Sequence, residues 1–537
     1  MLFRRWSWML GALVLGCSEA PRDDVFATDA SASESSPSPT TSATSGGQSD
    51  DTGPQDKLDV APSPDMGGEP PPSVASCDDV EDLPTNQGCE FWAVDLPNVS
   101  QAPLTTTPHD QQFAVVVTNS LPEQSANVEV FVGSGATAIE SGVVPSNTMR
   151  VFQLPSMNIT PGTTSADGTA YRIQADVPIT AYQFQPLDNT NPVYSNDATI
   201  LFPTHVLDGD YTAITADATL AGADAFSASD DNTGAFVSVV ATEDGTTVTL
   251  FPTAELHPGN VTDVVLDRGQ VLTAISSQRG APTFGNLSGS RVVADAPVAV
   301  FSGSVATSEP STNVACCADH VEHQMLPLTA WGTSYIAAPA ASATGTGDDE
   351  SLFRITGAAD GTVLEYSPAP PAGAPTSIDA YETIAFITSA AFSVRSPGEE
   401  PFALSQFLLS NQYFPALSRP GDPTMMLLAA VEQFQDRYVF LLPQGYTTNV
   451  VTVVAPMDAA ITLDGAGIGA FTAAGQVDGV AYGYVHVSAD AGPHVMESEM
   501  PFGIIVSGHA NDVSYGYVGG SGVAKIAEPP PPPPPAG

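Results

Sequence analysis

The chain has 537 residues, of which 60 are acidic and 14 basic, giving a net charge of −46. So acidic a surface repels phosphate backbones and excludes nucleic-acid binding. The length is too great for one small hydrophobic core, so several domains or repeats are expected.

The chain opens Met1-Leu2-Phe3-Arg4-Arg5, runs apolar from Trp6 to Gly16 and meets Cys17. Positive charge, then a short apolar run, then a small residue is the plan of a secretory signal. The run is shorter than the roughly 20 residues a membrane-spanning helix needs. Val14-Leu15-Gly16-Cys17 resembles the lipobox of bacterial lipoproteins, in which the cysteine thiol is acylated and the chain is cut before it. That resemblance implies a signal peptide over 1–16, lipidation of Cys17 and a membrane anchor. Residues 17–75 are rich in Ser, Thr, Pro, Gly and Asp, cannot bury enough apolar surface to order themselves, and read as a tether. Ser18 follows the cysteine, which favours the outer membrane or cell surface, with the rest of the chain outside the cytoplasm.

Beyond Cys17 the cysteines are Cys77, Cys89, Cys316 and Cys317, an even number suited to two disulfides in an oxidising compartment. Pairing Cys77 with Cys89 would staple the first loop. It would leave Cys316 and Cys317 for each other as a vicinal bridge, and cross-pairing is the alternative.

Past Cys89 the apolar runs are short and rich in Val, Ile, Phe and Tyr, as in Phe113–Val117, Phe236–Val240 and Asn449–Val454. They read as strands, which makes the fold all-β, and Met425 to Gln435 is the one candidate helix. Tyr-led strands recur at Tyr211, Tyr335 and Tyr438. Asp244-Gly245 and Asp360-Gly361, each between apolar runs, read as hairpin turns. An acidic residue and a proline then lead into an apolar strand at Asp176/Pro178, Asp295/Pro297, Glu400/Pro401 and Glu499/Pro501. Those prolines lie 119, 104 and 100 residues apart, which suggests about four diverged repeats within 76–527, with units near 76–197, 198–323, 324–423 and 424–527. Repeats of this size suit tandem β-sandwich modules, with a β-propeller as the alternative. A polyproline tail closes the chain over 528–537.

No Gly-x-Ser-x-Gly elbow, His-Glu-x-x-His helix or Walker loop is present, so no catalytic residue and no cofactor-binding residue is assigned and no catalysis is expected. The dense cluster of reactive side chains is Cys316 to His323, expected to be a loop. Its Asp319, His320, Glu322 and His323 are candidate metal ligands, set against the reading of a disulfide-pinned structural loop. Asp230-Asp231 and Asp348-Asp349 lack the alternating spacing of a calcium loop and read as solvated acids, with weakly bound Ca as the alternative.

Several motifs occur in a fixed order: Glu90 to Leu96, Phe184 to Asn189, Ser195 to Ala198, Leu201 to His205, Ala241 to Thr246, and Cys316 to His320. Together they resemble the bacterial relatives of the N-terminal domain of the mucus IgG Fc-binding protein, over roughly residues 77 to 525. The resemblance implies a cell-surface recognition or adhesion module with an extracellular protein or glycan as ligand. Immunoglobulin Fc is among the partners it implies, and no Fc-contact residue is carried onto this chain. An extracellular carbohydrate- or protein-processing enzyme, and a structural envelope component, are the competing readings.

Overall fold

In the computed structural model the described residues are 76–80, 83–99, 108–157, 159, 165–187, 195–217, 234–257, 263–277, 285–310, 318–344, 347–414 and 419–526. Cys17, the tether, Cys316, Cys317, Asp230-Asp231 and the polyproline tail lie outside them. Almost all of the regular secondary structure described is antiparallel strand, as the β-branched and aromatic runs predict. Among the described residues no helix is long and apolar enough to cross a membrane.

One pairing scheme occurs four times, built on a long strand whose two halves belong to two sheets. In the first unit this spine is Tyr171–Gln185. Its first half pairs with Gly88–Ala93 and Ala126–Val132, and its second half with Ala114–Asn119 and Asp197–Leu201. The second spine, Arg291–Thr307, takes Asp208–Thr212 and Thr246–Phe251 on its first half, then Ala235–Ala241 and Asp319–Gln324. The fourth, Gly492–Ala510, takes Gln435–Leu442 and Ile461–Leu463, then Thr448–Pro456 and Val513–Val518. In the third unit the spine is broken into Phe392–Arg395 and Phe402–Phe407, which carry the equivalent partners. The break falls at Ser396-Pro397-Gly398-Glu399-Glu400-Pro401, where two prolines remove ladder donors and Glu399 turns to φ 63°.

The acid-and-proline steps sit at mid-spine, where one set of partners ends and the other begins. Proline costs no ladder bond there. The acid holds a neighbouring strand: Asp176 accepts from the Asn127 amide at 2.7 Å, and Asp295 from the Thr247 amide at 2.7 Å. The tyrosines of the Tyr-led strands act at the same crossover. Tyr211 Oη donates to the Val298 carbonyl (2.8 Å) and accepts from the Asp208 amide (3.1 Å). Tyr335 bridges Gly332 and Phe402 at 3.2 and 2.7 Å, and Tyr438 bridges Gln435 and Phe502. Each hydroxyl thus ties the strand start to the residue after the crossover proline. In the first unit Phe91 occupies this position and has no hydroxyl to offer.

Two sequence expectations change. The Asp-Gly turns at Gly245 (φ 77°) and Gly361 (φ 70°) are real, but the strands they join do not pair with each other. At Gly245 the turn carries the chain from the second half of the spine to the first. Met425 to Gln435 is not an α-helix: Met425–Leu427 is a strand and Val431–Gln433 a single 3-10 turn. Its apolar residues are buried by strand pairing and leave no helical face.

The last strand of each unit faces a common axis. Asp197–Leu201 lies against Asp319–Gln324 and Val513–Val518, and Met425–Leu427 lies against the same two, so the four inner strands close a ring. Ties between neighbouring units complete it. Arg268 meets Glu90 at 2.7 Å, Arg354 meets Glu309 at 2.7 Å and Arg395 meets Asp478 at 2.9 Å. Between last and first units, Arg437 donates to the Ser120 carbonyl (2.8 Å) and Tyr182 to the Gly519 carbonyl (2.5 Å).

Candidate functional site

The candidate metal ligands lie on the ring axis, on the second inner strand. The expected loop is therefore, from Asp319 to Gln324, a fully buried strand. Neighbouring segments supply hydrogen-bonding groups to Asp319 and Glu322, while Asp319 Oδ2, His320 Nδ1 and His323 Nε2 are buried with no hydrogen-bond partner among the described residues. Alternation along the strand places His320 and Glu322 on one face and turns His323 to the other. His320 Nε2 lies 3.3 Å from Glu322 Oε2, and the Glu322 carboxylate accepts from Gln183 Nε2 at 3.2 Å. His323 Nδ1 instead contacts the Gln324 carbonyl at 2.6 Å. Asp319 lies beyond a register shift and accepts from the Asn196 amide at 2.7 Å. The four side chains do not converge on one point. Among the described residues no group of three or more His, Cys, Asp or Glu is arranged to hold a metal ion.

The residue that organises the axis is Asp197, first in the first inner strand. Its carboxylate accepts from its own neighbour Ala198 (2.9 Å), from the Glu322 amide (3.2 Å), from the Met425 amide (3.1 Å) and from the Gly516 amide (3.3 Å). The Thr424 hydroxyl also donates to it. One carboxylate therefore links all four inner strands. The segment Ser195 to Ala198 belongs to the motifs that carry the family resemblance, but nothing in that tetrapeptide announces where its donors come from.

Burial sets the protonation of the axis. It pushes Asp197 up to about 7 against the five donors, which pull the other way. Asp319 is raised well above the carboxylate range by burial, then by Asp422 and Asp197, and Glu322 by burial, then by Asp197. Burial pushes His320 down to about 3 and His323 down to about 4. His320 is thus uncharged at neutral pH, and its contact with Glu322 is a hydrogen bond rather than an ion pair. Near Asp422 and His509 a cavity of about 20 Å³ is the size of one water molecule, too small for a substrate.

The other predicted residues have structural partners. Cys77 and Cys89 form a disulfide. Asp348 is exposed, as expected of a solvated acid, and also takes Tyr484 (2.8 Å) and His486 (3.1 Å), whereas Asp349 is largely buried against Arg419. Gln183 has no signal in the sequence, and Gln185 appears there only as a member of the Phe184 to Asn189 motif. Their side-chain amides bond the main chain of Val94 and Leu96, continuing Gly88–Ala93 along the spine as backbone would.

A family model described as IgGFc binding protein matches residues 197–508, from Asp197 at the hub to within the last spine. The chain belongs to the IgGFc-binding protein family. This is the family to which the ordered motifs pointed. A human IgGFc-binding protein is 26% identical over 237 residues, which is 43% of this chain and 4% of the human protein, so the match spans a small part of that relative. Among solved structures, an anti-sigma factor domain-containing protein from Clostridium clariflavum shares 8% identity over 74% of this chain and 98% of its own. Its TM-score is 0.11, and it carries no argument about the fold. The outer sheet of the first unit precedes the span that the family model covers.

Proposed function

We propose that this protein is a non-catalytic recognition module, held to a membrane by a lipid on Cys17 and displayed outside the cytoplasm at the end of the residue 17–75 tether. The observation that carries the non-catalytic part is the sealed axis. Among the described residues the cluster at Asp319 to His323 is buried, Asp319 and Glu322 hold donors from the first unit, and the cavity near Asp422 is only about 20 Å³. Recognition then falls to the outer sheets and loops, which a rigid ring positions. Family membership supports binding as the activity. Immunoglobulin Fc as a ligand rests on the name of the human relative, and no residue here is assigned to it.

Two experiments test this reading. Cys17→Ser should release the protein into the medium; if it stays membrane-bound and the wild type takes up no labelled lipid, the anchor is refuted. Immobilised full chain should retain Fc fragments, mucin or envelope polysaccharide above background. Retention of none of them, or turnover of a glycan or peptide panel, would overturn recognition.

A further inference from the structure

The outer sheet of the first unit carries an open groove of about 670 Å³, within the size range of ligand sites. It crosses the strands Glu140–Val144, Ala126–Val132, the first half of the spine, and Gly88–Ala93. Strand register lines up a row of polar side chains on its floor: Ser141 opposite Glu129, Glu129 opposite Gln174, and Gln174 opposite Glu90. Beside that row stand Val143, Asn127 and Asp176.

The charges in the row are unequally matched. Glu90 takes Arg268 through both oxygens, at 2.9 and 2.7 Å, and Gln174 at 2.9 Å. Asp176 accepts from Asn127 but meets no cation among the described residues. Glu129 is exposed and, among the described residues, its carboxylate makes no hydrogen bond or ion pair. The other units fill the corresponding place differently. Thr462 stands opposite Glu497, which takes Arg437 at 2.7 Å. Thr249 stands opposite Val293 and bonds Asp263 at 2.7 Å. In the third unit Glu365 takes Arg395 at 2.8 Å. Among the described residues the Glu129 carboxylate carries no partner at all and Asp176 no cation, whereas in the fourth and third units Glu497 and Glu365 of the corresponding rows are each met by an arginine.

We propose that this groove binds an extended polypeptide segment bearing lysine or arginine, its cation at Glu129 and Asp176 and an apolar neighbour on Val143. Val143 is 50% exposed and offers that contact. Glu140–Val144 is the outermost strand of its sheet, and although Arg150 donates to the Ser141 carbonyl at 3.3 Å, an added strand can pair with the main chain there by displacing that exposed side chain. The amides of Asn127 and Gln174 suit a peptide backbone, and no residue lining the groove is aromatic, which removes the usual stacking surface for a sugar ring. With 14 basic residues against 60 acidic ones, this chain leaves the cation to the partner. The proposal rests on the recognition reading and deepens it.

The test uses the full chain and a fluorescent decapeptide alternating Lys and Val, read by anisotropy at low and physiological salt. The pair Glu129→Gln with Asp176→Asn should weaken binding at least tenfold while the chain still unfolds in a single cooperative urea transition, since the new amide keeps one oxygen for the Asn127 N–H. The control pair Glu399→Gln with Asp458→Asn removes two exposed acids elsewhere and should change binding less than twofold. Equal losses in both pairs would mean that the diffuse charge of −46 binds the peptide, and would overturn the groove. So would unchanged binding in the groove pair, absence of peptide binding, or equal binding of a peptide with Glu in place of Lys. If Fc, mucin or envelope polysaccharide is retained equally by wild type and groove pair while the peptide is not bound, the groove falls and recognition stands.

Discussion

At the ring axis Asp197, Asp319 and Glu322 lie sealed beneath four inner strands, whereas on the outer sheet of the first unit Glu129 and Asp176 stand in solvent. Both places concentrate carboxylates, and the number of donors separates their roles. Asp197 collects five hydrogen bonds and acts as a hub. The Glu129 carboxylate collects none among the described residues and keeps its capacity for something outside the chain. An acid deep in a β-rich protein is thus not a catalytic signal when strands have already taken its lone pairs. A shallow acid with nothing on it is the better pointer to a ligand.

The sharpest way to break this comparison is Asp197→Ala. The variant strands four buried amides and the Thr424 hydroxyl, each of which costs about 1–3 kcal/mol when left without an acceptor. Their sum approaches the whole stability of a typical domain, about 5–15 kcal/mol. Loss of a cooperative urea transition is expected, with Asp197→Asn intermediate because one acceptor oxygen survives. A wild-type midpoint in the Ala variant would remove Asp197 as hub. Next in size is Arg354→Leu. It leaves Glu309 buried between the second and third units without its 2.7 Å partner and should cost about 3–5 kcal/mol, with recovery when Glu309→Gln is added. Below that, Tyr335→Phe unpairs the Gly332 amide and the Phe402 carbonyl and should cost about 1–3 kcal/mol by urea unfolding. Phe91 shows that a unit can be built without this hydroxyl, so a loss at the top of that range would mean the third unit leans on it because its spine is broken.

Local features were legible in the sequence. The strands, the recurring Tyr and the acid-proline steps all appear there, since each depends on residues within a few positions of one another. What the Asp-Gly turns joined was not legible, because an Asp-Gly turn within one sheet and one between two sheets share the same local chemistry. The misread helix at Met425 shows the same limit, as a short buried apolar run has no period that separates strand from helix. The hub was hidden for a plainer reason: two of its donors, Met425 and Gly516, lie 228 and 319 positions from Asp197. The cluster at Asp319 to His323 was visible as composition and misleading as chemistry. Residues adjacent in sequence alternate across a strand, so His320 and His323 point apart.

The smallest effect is the one that tests whether the axis is sealed. Burial holds His320 near 3, against 6.5 for an open imidazole. As pH falls below 6.5 the unfolded chain takes up a proton on this ring that the folded chain refuses. Stability is therefore lost toward acid, by about 1.4 kcal/mol per pH unit once well below 6.5. Asp197 and Glu322 act in the opposite sense: their raised values let the folded chain keep protons that the unfolded one releases. What Asp197 contributes is present near pH 4 and is lost as pH rises toward 7, and Glu322 shifts in the same direction. His320→Gln removes this ring's share of the acid sensitivity, leaves those of His323 and His509, and retains a donor for Glu322. Relative to wild type, the variant should gain about 1 kcal/mol in urea unfolding free energy between pH 6.5 and 5.5, whatever its loss at pH 7.5. Parallel curves across that range would mean that water reaches His320, and the axis would then be as open as the groove.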